Sequence, residues 1–415
     1  MRLTASLQRG GQTPFQASQT PPLRPRRCSV VTHTGRRDTL LAGLVATGSL
    51  LLPLDDASAA AAAPAARKPF CAVVDQVPAW AYNTPWREDL VSYAGGKTWY
   101  RFVNYLPPPS GFINKLTRNL ASNIAQDKAP LLVLAGGPGL PVSYLEPLEL
   151  MAGVGRQVIF YDQVGCGNTF LASNSTCPPA DQLTLDLYLR QIDALREALG
   201  LEKVHLYGQG IGGMLALSYA ASKQGAAGGV LSVTAASTAS SYSQLVTDRR
   251  AALKGLGEAA EAALLAADDA GSSSSKEAAG ALQQYTQQYV CRSPAATAAS
   301  PAGCARLAAQ QRSRPVFDAL AGGRYFSPAG VLAGWDAQGL GLSSLQETPV
   351  LVTRGEFDEV SNASAQQLAG LLPNCQMAEF AGAGSYQHID AWEPHLTRIE
   401  LHLCAAEGSP IPKTA

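Results

Sequence analysis

Short apolar runs alternate with helical patterns along most of this chain. The runs with the length and composition of strands cover residues 98–103, 131–134, 157–161, 204–207, 349–353 and 376–380. Apolar residues recur every three or four positions over 185–199, which predicts an amphipathic helix, and a last helix is predicted over 396–405. Short apolar strands separated by helices predict an α/β fold, in which a mostly parallel sheet is covered by helices on both faces.

A Gly-rich turn at 208–213 stands between the strand at 204–207 and an Ala-rich helix that begins at Met214. A strand, a tight turn and a helix are the parts of a G-x-S-x-G nucleophile elbow, which lifts the middle residue to the edge of the sheet. The middle residue here is Gly210, where that chemistry needs Ser. The sequence therefore predicts the elbow without its nucleophile.

The same glycines also fit the dinucleotide-binding pattern G-x-G-x-x-G. That pattern requires an acidic residue about 20 positions further on, which holds a ribose. The segment 225–241 has no Asp or Glu, and the next acid is Asp248. The pattern also belongs in a first βαβ unit, whereas at least two predicted strands precede this turn. We therefore expect no cofactor.

The first 59 residues predict a cleaved leader rather than part of the fold. Residues 1–37 hold seven Arg and no acidic residue, which is typical of an organelle transit peptide. A twin-Arg pair at 36–37 then precedes a short apolar run and an A-x-A cleavage pattern at 57–59. This order of signals resembles the bipartite leaders of thylakoid-lumen proteins, so we expect a chloroplast protein of the lumen. A membrane anchor or a mitochondrial leader is the alternative.

Charge gives little indication of a partner. The leader takes seven of the 32 basic and three of the 32 acidic residues, which leaves 25 basic and 29 acidic. Such a balance indicates neither a nucleic acid nor an anionic membrane surface. The apolar run of the leader is shorter than a span of about 20 residues. We expect no membrane span in the mature chain.

Seven cysteines remain outside the leader, and none is part of a C-x-x-C pattern, so neither zinc nor a redox pair is indicated. Cys291 and Cys304 flank a Ser/Pro/Ala loop, and Cys375 and Cys404 flank the last predicted strand and helix. Each of these two pairs is a candidate disulfide, and free buried thiols are the alternative.

Three segments carry a more specific resemblance: LLVLAGGPG at 131–139, RQVIFYDQVGCGNT at 156–169 and LYGQGIGGMLALSYA at 206–220. They resemble the H-G-G-P-G loop, the D-Q-x-G-C-G-x-S loop and the G-x-S-W-G-G elbow of the proline iminopeptidase branch of the α/β-hydrolases, in the same order. The resemblance covers roughly residues 90–235 and 345–405. It implies an α/β-hydrolase core with an inserted helical cap.

The predicted organisation is a leader at 1–59, an N-terminal segment at 60–89, a core at 90–234 and 345–415, and a cap at 235–344. Within the predicted cap the composition shifts to Ala, Gln and Ser, and helical stretches alternate with Pro and Gly. The resemblance implies that this cap sets the choice of substrate.

The resemblance also implies a catalytic site. Asp358, after a predicted strand, matches the triad carboxylate of the family, and His388 matches its imidazole by its spacing to a later Trp-Glu pair. In such a triad the imidazole removes the proton of a serine, and the carboxylate fixes the imidazole. The backbone N–H groups of Gly137 and Ile211 would hold the oxyanion.

Gly210 has no side chain and cannot form an acyl-enzyme. Loss of the serine alone costs on the order of 10⁶ in kcat in a triad hydrolase. A relocated nucleophile would be Ser218, beyond the elbow, or Cys166, in a different loop. Alternatively, His388 acts as a base on water with Asp358 behind it, which is slow without covalent catalysis.

Two further positions depart from the family pattern. Ala135 stands where the family has an oxyanion-loop His. Tyr325, in the predicted cap, stands where a family Glu would hold the free amine of the substrate, so the amine would have no carboxylate partner. Both departures weaken the expectation of peptidase activity.

Two classes of function follow. By resemblance the chain is a proline iminopeptidase, which removes N-terminal proline from peptides, with serine-hydrolase activity impaired or absent because of Gly210. The alternative is a non-catalytic member of the fold that binds a small molecule, a peptide or a protein. We expect a peptide or small-molecule ligand as the partner.

The other histidines have structural interpretations. His205 lies in the predicted strand before the elbow and is expected to pack in the core. His395 and His402 belong to the predicted last helix and are expected at its surface or its end.

Overall fold

The computed structural model describes the chain from Trp86 to Ser409 with six gaps. The described ranges are 86–93, 96–104, 128–222, 229–271, 275–293, 304 and 312–409. The predicted leader at 1–59 and most of the predicted N-terminal segment at 60–89 lie outside these ranges. Within them, no helix combines the length and the apolar character needed to cross a membrane.

Eight strands form one sheet in the described part of the chain. They are β1 (Trp86–Tyr93), β2 (Gly96–Val103), β3 (Leu131–Leu134), β4 (Val158–Tyr161), β5 (Val204–Gln209), β6 (Val230–Ala236), β7 (Val350–Gly355) and β8 (Cys375–Phe380). Their order across the sheet is β1-β2-β4-β3-β5-β6-β7-β8. β2 pairs antiparallel with β1 and β4, and all other neighbours are parallel. The predicted mostly parallel sheet is confirmed.

Ten α-helices accompany these strands in the described ranges. They are α1 (Gly167–Ala172), α2 (Leu185–Leu199), α3 (Ile211–Ala221), α4 (Tyr242–Lys254), α5 (Glu258–Asp269), α6 (Lys276–Tyr285), α7 (Arg314–Ala321), α8 (Asn362–Leu371), α9 (Gln387–Asp390) and α10 (Trp392–Ala406). Segments of 3₁₀-helix cover Val142–Val154, Ala180–Gln182, Val331–Gly334, Ala337–Leu340 and Leu342–Leu345, and a π-helical turn covers Thr286–Val290. Helices α4 to α7 all lie between β6 and β7 in the chain.

The sheet is covered on both faces because its central strands are apolar on both. In β3, Leu132 and Leu134 pack into a cluster with side chains of α2, α3 and α8, whereas Leu131 and Val133 pack into a cluster with side chains of α10. Alternate residues of a strand point to opposite faces, so one apolar run serves both layers. The fold is therefore an α/β sandwich with its core in two layers.

The two candidate disulfides have different outcomes. Cys291 and Cys304 are joined, with their Cα atoms 5.7 Å apart, which confirms the first pairing. Cys375 and Cys404 are not joined by a disulfide, so the second pairing is wrong. Cys375 packs on the side of the sheet that holds α2, α3 and α8, whereas the helix that carries Cys404 packs on the other face.

The last helix is buried more deeply than expected. His395 is fully buried and His402 is 4% exposed, so the prediction of surface or helix-end positions is wrong. Both are enclosed because α10 lies on the sheet, where the ring of His395 meets the edge of Tyr207 in β5. His205 is buried in β5 as predicted, and its Nε2 lies 3.1 Å from a carboxylate oxygen of Glu407.

Candidate functional site

Gly210 is the residue between β5 and α3, with φ 56° and ψ −116°. A Cβ at this position would meet no atom within 4 Å. Its neighbours differ, because a Cβ on Gly208 would lie 2.1 Å from the carbonyl oxygen of Gly212, and one on Gly212 would lie 2.3 Å from that of Leu134. Close packing of α3 on the sheet therefore requires glycine at positions 208 and 212. At position 210 only the positive φ favours glycine.

The Gly-rich loop after β3 lies beside the elbow. The N–H of Gly136 donates to the Tyr144 hydroxyl at 2.7 Å, and that hydroxyl donates to the side-chain oxygen of Gln209 at 2.9 Å. Gly137 and Ile211 line the same cavity as Gly210. The structure thus brings the two predicted oxyanion-hole residues to the cavity at Gly210.

Asp358 follows β7 and is buried. Its Oδ1 accepts from the Ser385 hydroxyl at 2.7 Å and from the N–H of Val360 at 3.0 Å. Its Oδ2 accepts from the Ser237 hydroxyl at 2.7 Å and from the side-chain amide of Gln387 at 2.9 Å. Burial raises the pKa of this carboxyl, and the surrounding donors act against that shift. Among the described residues these donors are hydroxyl and amide groups, and no imidazole binds the carboxylate.

His388 lies in α9 and forms its hydrogen bond with a group other than Asp358. Its Nε2 donates to the carbonyl oxygen of Tyr144 at 3.0 Å, and its Nδ1 is buried without a hydrogen-bond partner in the described ranges. The rings of Tyr144 and Tyr386 lie against it, with centroid distances of 5.7 and 5.3 Å. Burial lowers the pKa of His388 to about 3. An imidazole with this pKa is a weak base toward a hydroxyl or water at neutral pH.

No hydrogen bond joins the two predicted triad side chains, Asp358 and His388. Ser385, three residues before His388, occupies the place beside Asp358. A second hydroxyl that the sequence did not reveal belongs to Ser237, which follows β6 at φ 49° and lines the cavity at Gly210. Ser237 donates to Asp358 and accepts from the amide of Gln387 at 2.6 Å. No pattern around Ser237 distinguishes it in the sequence, since only folding brings β6 next to Asp358.

Neither candidate for a relocated nucleophile lines the cavity at Gly210. The hydroxyl of Ser218 donates to the carbonyl oxygen of Met214 at 2.8 Å and accepts from the indole N–H of Trp335 at 2.9 Å. Cys166 is fully buried, and burial raises the pKa of its thiol. Both side chains are therefore occupied in the core.

The cavity at Gly210 encloses about 360 Å³, part of which is open to solvent. Leu140 and Leu245 supply apolar walls, and Arg249, Arg312 and Glu359 supply charged groups. Arg249 comes from α4 and Arg312 precedes α7, so the segment between β6 and β7 supplies both cations. The sequence indicates none of these three charged residues, because each lies far along the chain from the elbow.

Tyr325 lies at the charged side of the cavity, next to a carboxylate. Its hydroxyl donates to Glu359 at 2.7 Å, and the guanidinium of Arg249 lies over its ring at 3.8 Å. Glu359 also accepts from the Tyr285 hydroxyl at 2.9 Å. A carboxylate that the sequence did not indicate, Glu359 from the loop after β7, therefore lies beside Tyr325. The hydroxyls of Tyr285 and Tyr325 already donate hydrogen bonds to that carboxylate.

One group of possible metal ligands comes together in the described ranges: Cys291, Cys304 and Asp390. The two cysteines form the disulfide, so neither offers a thiolate. The carboxylate of Asp390 accepts N–H bonds from Arg292 and Ser293 at 2.9 and 2.8 Å. This group does not fit a metal ion and instead holds the disulfide loop against α9.

Comparisons with known proteins identify the fold and the family of this chain. A family model described as alpha/beta hydrolase fold matches residues 129–391. Proline iminopeptidase from Clostridioides difficile (strain 630) is 32% identical over 293 residues, which cover 71% of this chain and 89% of that relative. Proline iminopeptidase from Lactobacillus delbrueckii subsp. lactis is 32% identical over 265 residues, or 63% of this chain and 85% of the relative. The crystal structure of proline iminopeptidase from Mycobacterium smegmatis has a TM-score of 0.60 at 26% identity and covers 77% of this chain and 99% of its own.

The sheet order, the elbow and the matched family model define a protein of the α/β-hydrolase fold. Within that class, the chain belongs to the proline iminopeptidase family. The residue at its elbow is Gly210, and Nε2 of His388 donates to the carbonyl oxygen of Tyr144.

Proposed function

We propose that this chain is a proline iminopeptidase relative without serine-hydrolase turnover, whose cavity binds a ligand and does not cleave it. The observation that carries the proposal is at the elbow, where Gly210 adopts the strained backbone of a nucleophile position and has no side chain. Covalent catalysis needs an oxygen or sulfur atom at that place.

The position of the histidine supports the same proposal. His388 donates through Nε2 to the carbonyl oxygen of Tyr144, while Asp358 is bound by Ser385 and Gln387. A triad works only when the carboxylate orients the imidazole and the imidazole faces the nucleophile. A serine placed at position 210 alone would therefore lack its base.

Ser237 is the hydroxyl that comes nearest to a substitute nucleophile. It lines the cavity and donates to Asp358 at 2.7 Å. A carboxylate is a much weaker base than the alkoxide that it would have to generate, and an imidazole normally bridges this gap. The bond between Ser237 and Asp358 is better explained as satisfaction of a buried carboxylate.

The proposal is tested by hydrolysis of a prolyl-arylamide and a short-chain ester. The native chain, Gly210→Ser and the double variant Gly210→Ser/Ser385→His are compared. We expect no turnover above background from the first two and measurable turnover from the third, because Ser385 lies 2.7 Å from Asp358 and a histidine there can join that carboxylate to the new serine. Circular dichroism of each variant controls for folding.

Two single variants identify the source of any native turnover. Hydrolysis by the native chain that His388→Asn abolishes would contradict the proposal and establish His388 as a base. Hydrolysis that Ser237→Ala abolishes would also contradict it and establish a relocated nucleophile.

A further inference from the structure

The cavity at Gly210 carries more positive than negative charge. Two guanidinium groups, from Arg249 and Arg312, face it together with the single carboxylate of Glu359 among its described lining residues. A site for the protonated amine of a peptide would need an excess of carboxylate instead. The charge of the cavity therefore favours an anionic ligand.

Arg249 has donor capacity that the fold does not use. The residue is 5% exposed, and its Nε makes no hydrogen bond to any described residue, although it lies 3.3 Å from Glu359. One terminal nitrogen reaches the carbonyl oxygen of Tyr325 only at 3.5 Å. A guanidinium has five N–H donors, and leaving them unsatisfied in a buried site is costly. An acceptor in the cavity would satisfy them.

Glu359 does not satisfy all the N–H donors of Arg249. Its Oε1 already accepts from the hydroxyls of Tyr285 and Tyr325 at 2.9 and 2.7 Å. Nε of Arg249 lies 3.3 Å from Glu359, and no paired hydrogen bonds of the kind that a guanidinium and a carboxylate can form join the two side chains. The second guanidinium, Arg312, lies over the rings of Phe317 and Tyr325 at 4.6 and 5.6 Å. Among the described residues no carboxylate pairs with Arg312, so its positive charge adds to that of Arg249 in the cavity.

The opposite wall of the cavity is also rich in donors. It contains Ile211, the first residue of α3, and Gly137 of the loop after β3. The first N–H groups of a helix have no partner within the helix and carry partial positive charge. Because Gly210 has no side chain, nothing from that residue stands between these N–H groups and the guanidinium side.

The size and the apolar walls of the cavity limit the kind of anion that can bind there. The cavity has about 360 Å³ of free space, and this figure includes open solvent at its mouth, so the cavity itself is small. Leu140, Leu245 and the rings of Tyr325 and Tyr386 line the rest of it. The ligand is small, and only its head group is charged.

We propose that the cavity at Gly210 binds a small organic carboxylate with an apolar body, an inference that rests on the proposed absence of turnover. The carboxylate lies between Arg249 and the N-terminus of α3, where both walls donate. A guanidinium matches a planar carboxylate through two parallel N–H bonds. The apolar body of the ligand contacts Leu140 and Leu245.

The test is calorimetric titration of the full chain with benzoate, benzamide and prolinamide at one ionic strength. Benzoate and benzamide have the same shape and differ in charge, and prolinamide is a cation with a proline ring. We expect benzoate to bind roughly tenfold more tightly than benzamide, since a hydrogen bond to a charged group is about twice as strong as a neutral one. Tighter binding of prolinamide than of benzoate would overturn the proposal, and so would inorganic phosphate that binds as tightly as benzoate.

Variants locate the site. Arg312→Gln and Arg249→Gln should weaken benzoate binding by roughly tenfold to a hundredfold, since each removes a charged donor. Arg312 is only half-buried, so its variant remains informative where Arg249→Gln fails to fold. The matched control is Arg314→Gln, an exposed arginine paired with Asp318, which should keep the native affinity. Unchanged benzoate binding in Arg312→Gln would overturn the proposal.

The outcome separates this inference from the proposed function. Hydrolysis of the prolyl-arylamide by the native chain defeats the proposed function whether or not benzoate binds. A chain that neither hydrolyses the arylamide nor binds benzoate defeats this inference alone.

Discussion

Gly210 and Gly212 occupy one turn for different physical reasons. A Cβ on Gly212 would lie 2.3 Å from the carbonyl oxygen of Leu134, whereas a Cβ on Gly210 would meet nothing within 4 Å. Packing therefore fixes glycine at 212, and only the backbone conformation disfavours other residues at 210. Position 210 therefore has space for a side chain.

This difference predicts the cost of two alanine substitutions. Gly210→Ala should lower the free energy of unfolding by about 1–3 kcal/mol, the usual cost of a strained backbone conformation, without loss of the fold. Gly212→Ala should cost more, because α3 must move away from the sheet. Urea unfolding of both variants gives the comparison. Equal losses would show that the side chain at 210 meets the same obstruction as the one at 212.

For single residues, the sequence predicts which residues lie at the cavity better than it predicts which side chains face each other. The motifs correctly locate Gly210, Gly137 and Ile211 at one cavity, because all three belong to tight turns next to strands. The spacing that selects His388 cannot tell which residue of a short loop faces Asp358. That residue is Ser385, and only the path of the loop after β8 decides it.

At the scale of elements, α10 is fixed to the sheet layer by buried charges. Arg156, which precedes β4, lies 2.7 Å from one carboxylate oxygen of Glu400 and 2.9 Å from one of Glu407. Lys128 lies 2.8 Å from the other oxygen of Glu400. All of these side chains are at most 6% exposed, so each charge depends on its partners and not on water.

Removal of one partner should therefore be severe. Glu400→Ala leaves Arg156 and Lys128 without their shared carboxylate and should lower the free energy of unfolding by about 3–5 kcal/mol. The control is Asp186→Ala in α2, which removes an exposed ion pair with Arg190 and should cost less than about 1 kcal/mol. Chemical denaturation measures both. If Glu400→Ala lost as little stability as the control, these buried charges would not depend on their partners.

The elements themselves differ in how well the sequence predicts them. The helix over 185–199 has the predicted bounds because both ends are marked, by the cap Thr184, which accepts from the N–H of Leu187, and by Gly200 in the left-handed conformation. β1 was not predicted, since WREDLVSY at the sheet edge is mostly polar. β6 was also missed, because VLSVTAA shares its Ser, Thr and Ala with the segment that follows.

At the scale of the whole molecule, burial holds the described histidines neutral. Burial lowers the pKa of His388 to about 3 and that of His402 to about 4, and it also lowers the pKa of His205 and His395. The unfolded chain protonates these imidazoles near pH 6.5, whereas the folded chain does so only at lower pH. Each such histidine therefore contributes stability above pH 6.5 that is lost as pH falls toward its folded pKa.

We expect the free energy of unfolding to decrease from pH 7 to pH 5. Each histidine contributes up to about 1.4 kcal/mol per pH unit below 6.5. Asp162 and Asp358 act in the opposite direction, because burial raises the pKa of Asp162 to about 6 and also raises the pKa of Asp358, and together they offset part of the loss. Urea titrations at the two pH values measure the change, and His402→Leu should reduce it. Equal or greater stability at pH 5 would contradict the account.

We propose that the native chain has no activated nucleophile, although it has the fold and the elbow of its family. The most direct measurement is the intact mass of the native chain after incubation with a fluorophosphonate, with Gly210→Ser/Ser385→His as the positive control. We predict no adduct on the native chain, because Gly210 has no side chain and no imidazole hydrogen-bonds to Ser237 among the described residues. A stoichiometric adduct on the native chain, mapped to any serine that lines the cavity, would contradict the account.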